Sequence, residues 1–164
     1  MAQIGTESVQ RAIHLMRAPT GLPAGLAAIA MANGVSLPPL DQAQISAHNV
    51  APDLAEKTAG AKYPAYHVYC EKLQNTLREK FRQFSGTALL GIDVRVTHDR
   101  LEGLDQKLQW YVDAVTEVLD GNRGDWGTGM FYTGTYTVAF VPVKHGGKNF
   151  LQTAKVSFEL LVSV

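Results

Sequence analysis

The chain has a single cysteine, no apolar run long enough to span a bilayer and no excess of charge of either sign. Each shortage excludes something. Cys70 alone cannot close an intramolecular disulfide or supply a four-cysteine zinc site, so reducing surroundings are expected. The most apolar stretch, residues 22–32, carries Pro23 and Gly25 and falls short of the ~20 residues that cross a membrane. It reads as a short buried helix. The N-terminal run MAQIGTESVQRAIHLMR is mixed and polar, so no signal peptide is expected. Fifteen Lys and Arg balance fifteen Asp and Glu, which argues against a basic nucleic-acid-binding module and against an acidic disordered tail. Only 18% of residues are charged, sparse protection against association for a lone monomer and less of a handicap for a chain that lives among copies of itself. What is present is globular: 164 residues, 46% of them hydrophobic, make the length of one domain.

The N-terminal part, residues 1–62, reads as short helices and an arm. Thr6 is placed to cap a first helix with Val9, Ile13 and Met16 on one face, ended by Pro19 and Gly21. A second helix opens at Pro23, presents Leu22, Leu26 and Ile29, and stops at Gly34. Residues 36–64 carry Pro38, Pro39 and Pro52 and form an irregular arm, expected to wrap the domain or to reach another chain.

Residues 63–164 read as β-β-α-β-β within the same compact domain. Tyr66, Val68 and Cys70 alternate with Ala65, His67 and Tyr69. Leu73, Leu77, Phe81 and Phe84 fit either a helical stripe or one face of a strand, so residues 72–85 stay open. Ala88, Leu90, Ile92, Val94 and Val96 make the buried side of a long strand, with Asp93, Arg95 and Thr97 on the other. A helix over 102–120 carries Leu104, Leu108, Tyr111, Val112, Val115 and Leu119. GNRGDWGTG, four glycines in nine residues, reads as a loop before a strand with Tyr132, Tyr136, Val138 and Phe140 on one face. KHGGK, residues 144–148, is a hairpin turn into a last strand that alternates Phe150, Ala154, Val156, Phe158, Leu160 and Val162 against polar residues. The class is α+β: a largely antiparallel sheet covered on one face by a long amphipathic helix.

Chemistry is hard to find in this pattern. Five histidines, at 14, 48, 67, 98 and 145, show neither helical pairing nor cysteine partners, so no metal is expected. His98-Asp99 reads as an oriented base or, favoured, as a strand end with Asp99 capping the next helix. No serine sits in a nucleophile elbow, and Cys70 on an apolar face suits an inert small hydrophobe. The glycine run follows a helix and precedes a strand, the reverse of a phosphate loop. No catalytic residue, cofactor or enzymatic activity is expected. Trp110 lies off the apolar stripe of its helix, and Trp126 stands in the glycine run beside Arg123; these three are candidate inter-subunit contacts. The alternative for each tryptophan is that it folds back onto its own domain.

The runs YPAYHVYCEKLQ and KFRQFSGTALLGIDVRVTHDRLEGLDQKLQWYVDAVTEVLD resemble the tail-terminator or tail-completion proteins of long-tailed bacteriophages. That group shares a strand after Tyr-Pro, a Phe-Ser-Gly turn, a strand of alternating apolar residues and a helix ending in DAVxxVL. APTGLPAGLAAIAMANG followed by LPP is similar to such neck proteins as well. The resemblance covers most of the chain and rests on order and spacing. It implies a structural virion protein, made in the host cytoplasm, that forms a ring, commonly a hexamer. Such a ring caps the tail tube, ends its elongation and meets the head-side connector or stopper, with DNA passing through the lumen unbound. The implied partners are copies of itself, the tail tube protein and the connector, with no membrane. Under this reading the loops 121–129 and 144–148, with Lys144, His145 and Lys148, are candidates to face the lumen or the next ring, and the arm contributes contacts. The alternatives are another head–tail joining protein, a stopper or connector adaptor, and a small α+β enzyme or ligand-binding domain using His98, Asp99 and His145.

Overall fold

Two long strands dominate the architecture because their sequences alternate without a break. The computed structural model describes residues 3–50, 61–146 and 148–164. Strand β3 (Ser85–His98) pairs antiparallel with β7 (Asn149–Ser163) along its whole length, from Ser85 opposite Ser163 to His98 opposite Phe150. That register puts Ala88, Leu90, Ile92, Val94 and Val96 on the same face as Ala154, Val156, Phe158, Leu160 and Val162, and all ten are buried. A slip by one residue would turn every one of these side chains to the opposite face, so the alternation specifies the pairing.

β2 (Ala65–Asn75) flanks β3, and β1 (Ile45–Ala47) adds to β2 in the parallel sense. On the other side β5 (Met130–Phe140) pairs with β7, and β4 (Gly124–Gly127) pairs with β5. β6 (Lys144–Gly146) runs alongside the start of β7. The seven-stranded sheet therefore has the order β1-β2-β3-β7-β5-β4, with β6 against β7. β3 and β5 are both antiparallel to the β7 that lies between them, so they run in the same direction. The connection between them holds helix α3 (Leu104–Gly121), which buries Leu104, Leu108, Tyr111, Val112, Ala114, Val115, Val118 and Leu119.

Helices α1 (Ile4–Arg17) and α2 (Leu22–Asn33) share that hydrophobic core. α1 contributes Ile4, Val9, Ala12, Ile13 and Met16 at helical spacing, and Arg17 donates to the carbonyl of Ile45, tying the helix to β1. Gly25 of α2 sits against Ala114 of α3, with 3.6 Å from the position of a Cβ to the Ala114 Cβ. Small residues on both helices let their backbones approach closely.

The mixed α+β class matches the expectation, but the chain is more elaborate than a bare β-β-α-β-β order, because β1, β4 and β6 are additional strands. α1 begins at Ile4, so Thr6 lies inside the helix and does not cap it. α2 opens with Pro23 in its first turn and ends at Gly34, which adopts φ 62° as a left-handed cap. α2 is not a buried helix, however, since only Leu22, Gly25, Leu26 and Ile29 are enclosed. Asp99 does not cap α3; Gly103 occupies that position. Residues 72–85 resolve into the end of β2 at Asn75 and an irregular connection that carries Leu77 and Phe81 exposed. Among its described residues the expected arm contains the 3-10 turn Gln42–Gln44, capped by Asp41, and β1. Its residues 51–60, and Gly147 of the KHGGK turn, lie outside the described residues.

The glycine-rich run is a tight hairpin and not an open loop. Thr128 and Gly129, at φ 52° and 76°, join β4 to β5 as a connection of the I′ kind, which needs positive φ at both positions. A Cβ on Gly129 would also stand 2.1 Å from the Ser163 carbonyl oxygen, so this position excludes any side chain.

Candidate functional site

The sheet has two unlike faces. One is covered by α1 and α3, with α2 packed on α3; the other carries Ala65, His67 and Tyr69 from β2, Gly91, Asp93 and Arg95 from β3, and Thr153, Lys155 and Ser157 from β7. These side chains form a linked polar ladder. The Tyr69 hydroxyl donates to Asp93 Oδ1 at 2.9 Å, and Arg95 Nη2 donates to Asp93 Oδ2 at 3.3 Å and to the Val50 carbonyl at 2.8 Å. Lys155 pairs with Glu71 and lies 5.9 Å from the centroid of the Tyr69 ring. Burial, followed by the hydrogen bond to Asp93, pushes the Tyr69 hydroxyl well above the ordinary tyrosine range.

Arg95 is the unusual member, because its exposure is 0%. A guanidinium has five N–H donors. Nη2 uses its two on Val50 and Asp93, while Nε and Nη1 have no acceptor among the described residues. Each buried donor left without a partner costs about 1–3 kcal/mol. Beside Arg95 lies a cavity of about 310 Å3 whose polar lining is Gln44, Ser46, His48, Lys62, His67 and Arg95. His67 Nδ1 is also buried without a partner among the described residues, and its ring meets His48 edge to face at 5.6 Å. Burial, with Arg95 and His48 adding repulsion, holds the His67 imidazole down to about 4, so it is neutral at pH 7. In the sequence Arg95 looked like an exposed strand cation, and nothing in its flanking residues distinguishes it from one.

The candidate contact residues divide. Trp126 is 3% exposed and sits in the core of its own chain, packed between Tyr132 and Phe158 at centroid distances of 5.5 and 5.8 Å. Its indole N–H donates to the Asn122 carbonyl at 2.6 Å. As an inter-subunit anchor Trp126 is therefore corrected: the indole is committed to its own fold. Trp110 is half-buried against the margin of the core. Arg123 remains at the surface, where it donates to Asp120 Oδ1 at 2.9 Å and its side chain lies over Gly134. The Tyr136 hydroxyl donates to the other oxygen of Asp120 at 3.3 Å.

The two candidate loops lie at opposite ends of β7. The Thr128–Gly129 turn adjoins Ser163, and Lys148 precedes Asn149, so they are separated by about 45 Å of strand at ~3.3 Å per residue. They cannot both form one patch. Lys144 and His145 belong to β6, and the His145 ring meets that of Phe150 edge to face at 6.0 Å. Phe150 pairs with His98 on one side and His145 on the other, so these histidines flank a phenylalanine and stand roughly two strand spacings, about 10 Å, apart. His98 Nδ1 lies 2.6 Å from Asp99 Oδ1 on the exposed connection into α3. Among the described residues no cluster of His, Cys, Asp or Glu is placed to hold a metal.

The feature that sequence reading missed is the outward face of α2. Its twelve residues, LPAGLAAIAMAN, contain no charged side chain. Ala24, Ala27, Ala28 and Met31, at i, i+3, i+4 and i+7, are all exposed, Met31 by 86%. A helix apolar all round is ordinarily buried all round. The signal in the sequence is the absence of polar residues from a second face, which fits burial inside the same chain equally well. Among the described residues no helix is long and apolar enough to cross a membrane. Compared with family models, curated proteins and solved structures, the chain matches none.

Proposed function

We propose that this chain is a structural subunit of the neck of a long-tailed bacteriophage, a tail terminator. In this reading it forms a hexameric ring that caps the tail tube, stops its elongation and presents its other side to the head connector, with DNA crossing the lumen. The observation that carries the reading is the outward face of α2: twelve residues without a charge, one face in the core and the other, Ala24, Ala27, Ala28 and Met31, left in solvent. A second copy of the chain would cover that face. Heterologous contacts of this kind close into rings, and the low charge density of the chain suits a subunit whose flanks are covered.

Two further features support the same reading. The order of strand, turn, strand and amphipathic helix from residue 63 onward carries the resemblance to tail-terminator proteins. The hairpin at Thr128–Gly129 and the one at Lys148 sit at the two ends of the longest strand, an arrangement suited to a subunit that meets a different partner at each end.

Disruption of the gene, followed by electron microscopy of the products, tests the assignment. Tails of uncontrolled length or unfinished tails are the expected result. Filled heads that leak, accompanied by free tails of normal length, would instead place the protein as a stopper or connector adaptor. Virions lost on substitution of His98 or His145 alone would favour the small-enzyme alternative.

A further inference from the structure

The cavity beside Arg95 has a composition that the ring reading does not use. It is open to solvent and holds about 310 Å3, roughly ten times the ~30 Å3 share of one water in the liquid. Its apolar lining is Ala43, Val50, Ala61 and Ala65. The same cavity is lined by Arg95, whose buried Nε and Nη1 have no acceptor among the described residues, and by His67, whose buried Nδ1 has no partner among them. Buried guanidinium donors without an acceptor are rare in folded proteins, and a ligand in the adjoining cavity would supply one.

We propose that this cavity binds a carboxylate, carried either by an acidic side chain of a neighbouring copy or by a free small carboxylic acid, with Arg95 as its principal partner. The charges around the site select this class over a phosphate. Arg95 faces Asp93 at 3.3 Å and Lys62 faces Asp41 at 3.3 Å, so the two cations are each already balanced by one carboxylate. A dianion would meet repulsion from Asp93 and Asp41. A monoanion with two acceptor oxygens meets the free N–H groups of Arg95, the Ser46 hydroxyl and Lys62 at the rim, while the short apolar stem of an acid lies against Ala43 and Val50. The other groups at the site are the rings of His48 and His67, the Tyr63 side chain and the Tyr69 hydroxyl on Asp93.

The proposal does not depend on the ring reading. Its test is a titration of the whole protein with sodium acetate, followed by NMR at the Arg95 Nε–H and the His67 Cε1–H, with sodium chloride and sodium phosphate at equal ionic strength as comparisons. Acetate is expected to shift both signals saturably and to raise the pH midpoint of His67 from about 4 by about one unit or more, since an added negative charge favours the imidazolium. Lys62→Glu, at the exposed rim, is expected to weaken acetate binding by about tenfold while the chain stays folded. Arg95→Lys is expected to abolish the saturable shift, and where that variant does not fold the Lys62 variant decides. Acetate that also breaks an oligomer into smaller species identifies the natural carboxylate as a neighbour's side chain. Acetate that binds with the oligomeric state unchanged identifies a free acid. Signals that respond to acetate no more than to chloride, or equally to acetate and phosphate, would overturn the proposal.

Discussion

The ring of Tyr69 occupies the space in which a side chain on Gly91 would stand. These two residues are direct partners across β2 and β3, and a Cβ on Gly91 would lie 2.8 Å from the Tyr69 Cε2 and Cζ atoms. A swing of the ring aside would break its hydroxyl's hydrogen bond to Asp93, 2.9 Å long. The glycine in the middle of the inner strand β3 is thus matched to an aromatic on its neighbour, as happens where a large ring covers a bare stretch of sheet.

Gly91→Ala is therefore expected to destabilise the fold by about 1–3 kcal/mol through overpacking, although alanine is the better strand former in isolation. Urea unfolding measures it. A midpoint equal to the wild type's would mean that Tyr69 does not lie where it is described.

Trp126→Ala is expected to cost about 3–5 kcal/mol, the usual range for deleting a buried tryptophan. The loss is one of folding, visible in the unfolding midpoint of the isolated chain. A variant with wild-type stability and altered association would return Trp126 to the surface role first suggested by its glycine-rich surroundings.

Arg123→Ala is expected to leave stability within about 0.5 kcal/mol, because its pair with Asp120 is solvent-exposed. Any effect of this substitution on assembly then reports a contact with another chain. The thermal midpoint, measured beside the assembly state, separates the two.

The pH dependence follows from His67. Its folded-state value, held down to about 4 by burial first and by Arg95 and His48 second, lies below the 6.5 of an unfolded histidine. Between those values the unfolded chain binds a proton that the folded chain does not, so stability is fully present above pH 6.5 and is lost as pH falls towards 4. His67→Gln is expected to flatten the decline of the thermal midpoint across this window. An unchanged slope would show that His67 does not titrate as described.

Where side chains alternate over many residues, the sequence was easy to read. β3, β7 and α3 follow from their apolar periods, and Gly34 follows from its place after an apolar helix. The open stretch 72–85 was ambiguous for a physical reason: a spacing of four residues keeps side chains on one face of a helix and of a strand alike. The glycines around Trp126 read as flexibility, when the turn at Thr128–Gly129 uses positive φ to bring Trp126 inward. Arg95 and the outward face of α2 were missed for a shared reason. Burial of a strand residue depends on what crosses above it, here Val50 from a segment forty-five positions earlier, and exposure of a helix face depends on what fails to cover it. Neither is written in the residues that flank the position.

Whether the uncharged outward face of α2 is covered by another copy of the chain decides the ring assignment. Native mass spectrometry of the wild-type protein and of Ala28→Glu tests this directly, since Ala28 lies in the centre of the exposed stripe and the substitution leaves the core untouched. The wild-type chain is expected as a ring near 107 kDa, six copies of 17.8 kDa, and the variant as a monomer with an unchanged thermal midpoint. A wild-type protein found only at 17.8 kDa, or an oligomer that Ala28→Glu leaves intact, would contradict it.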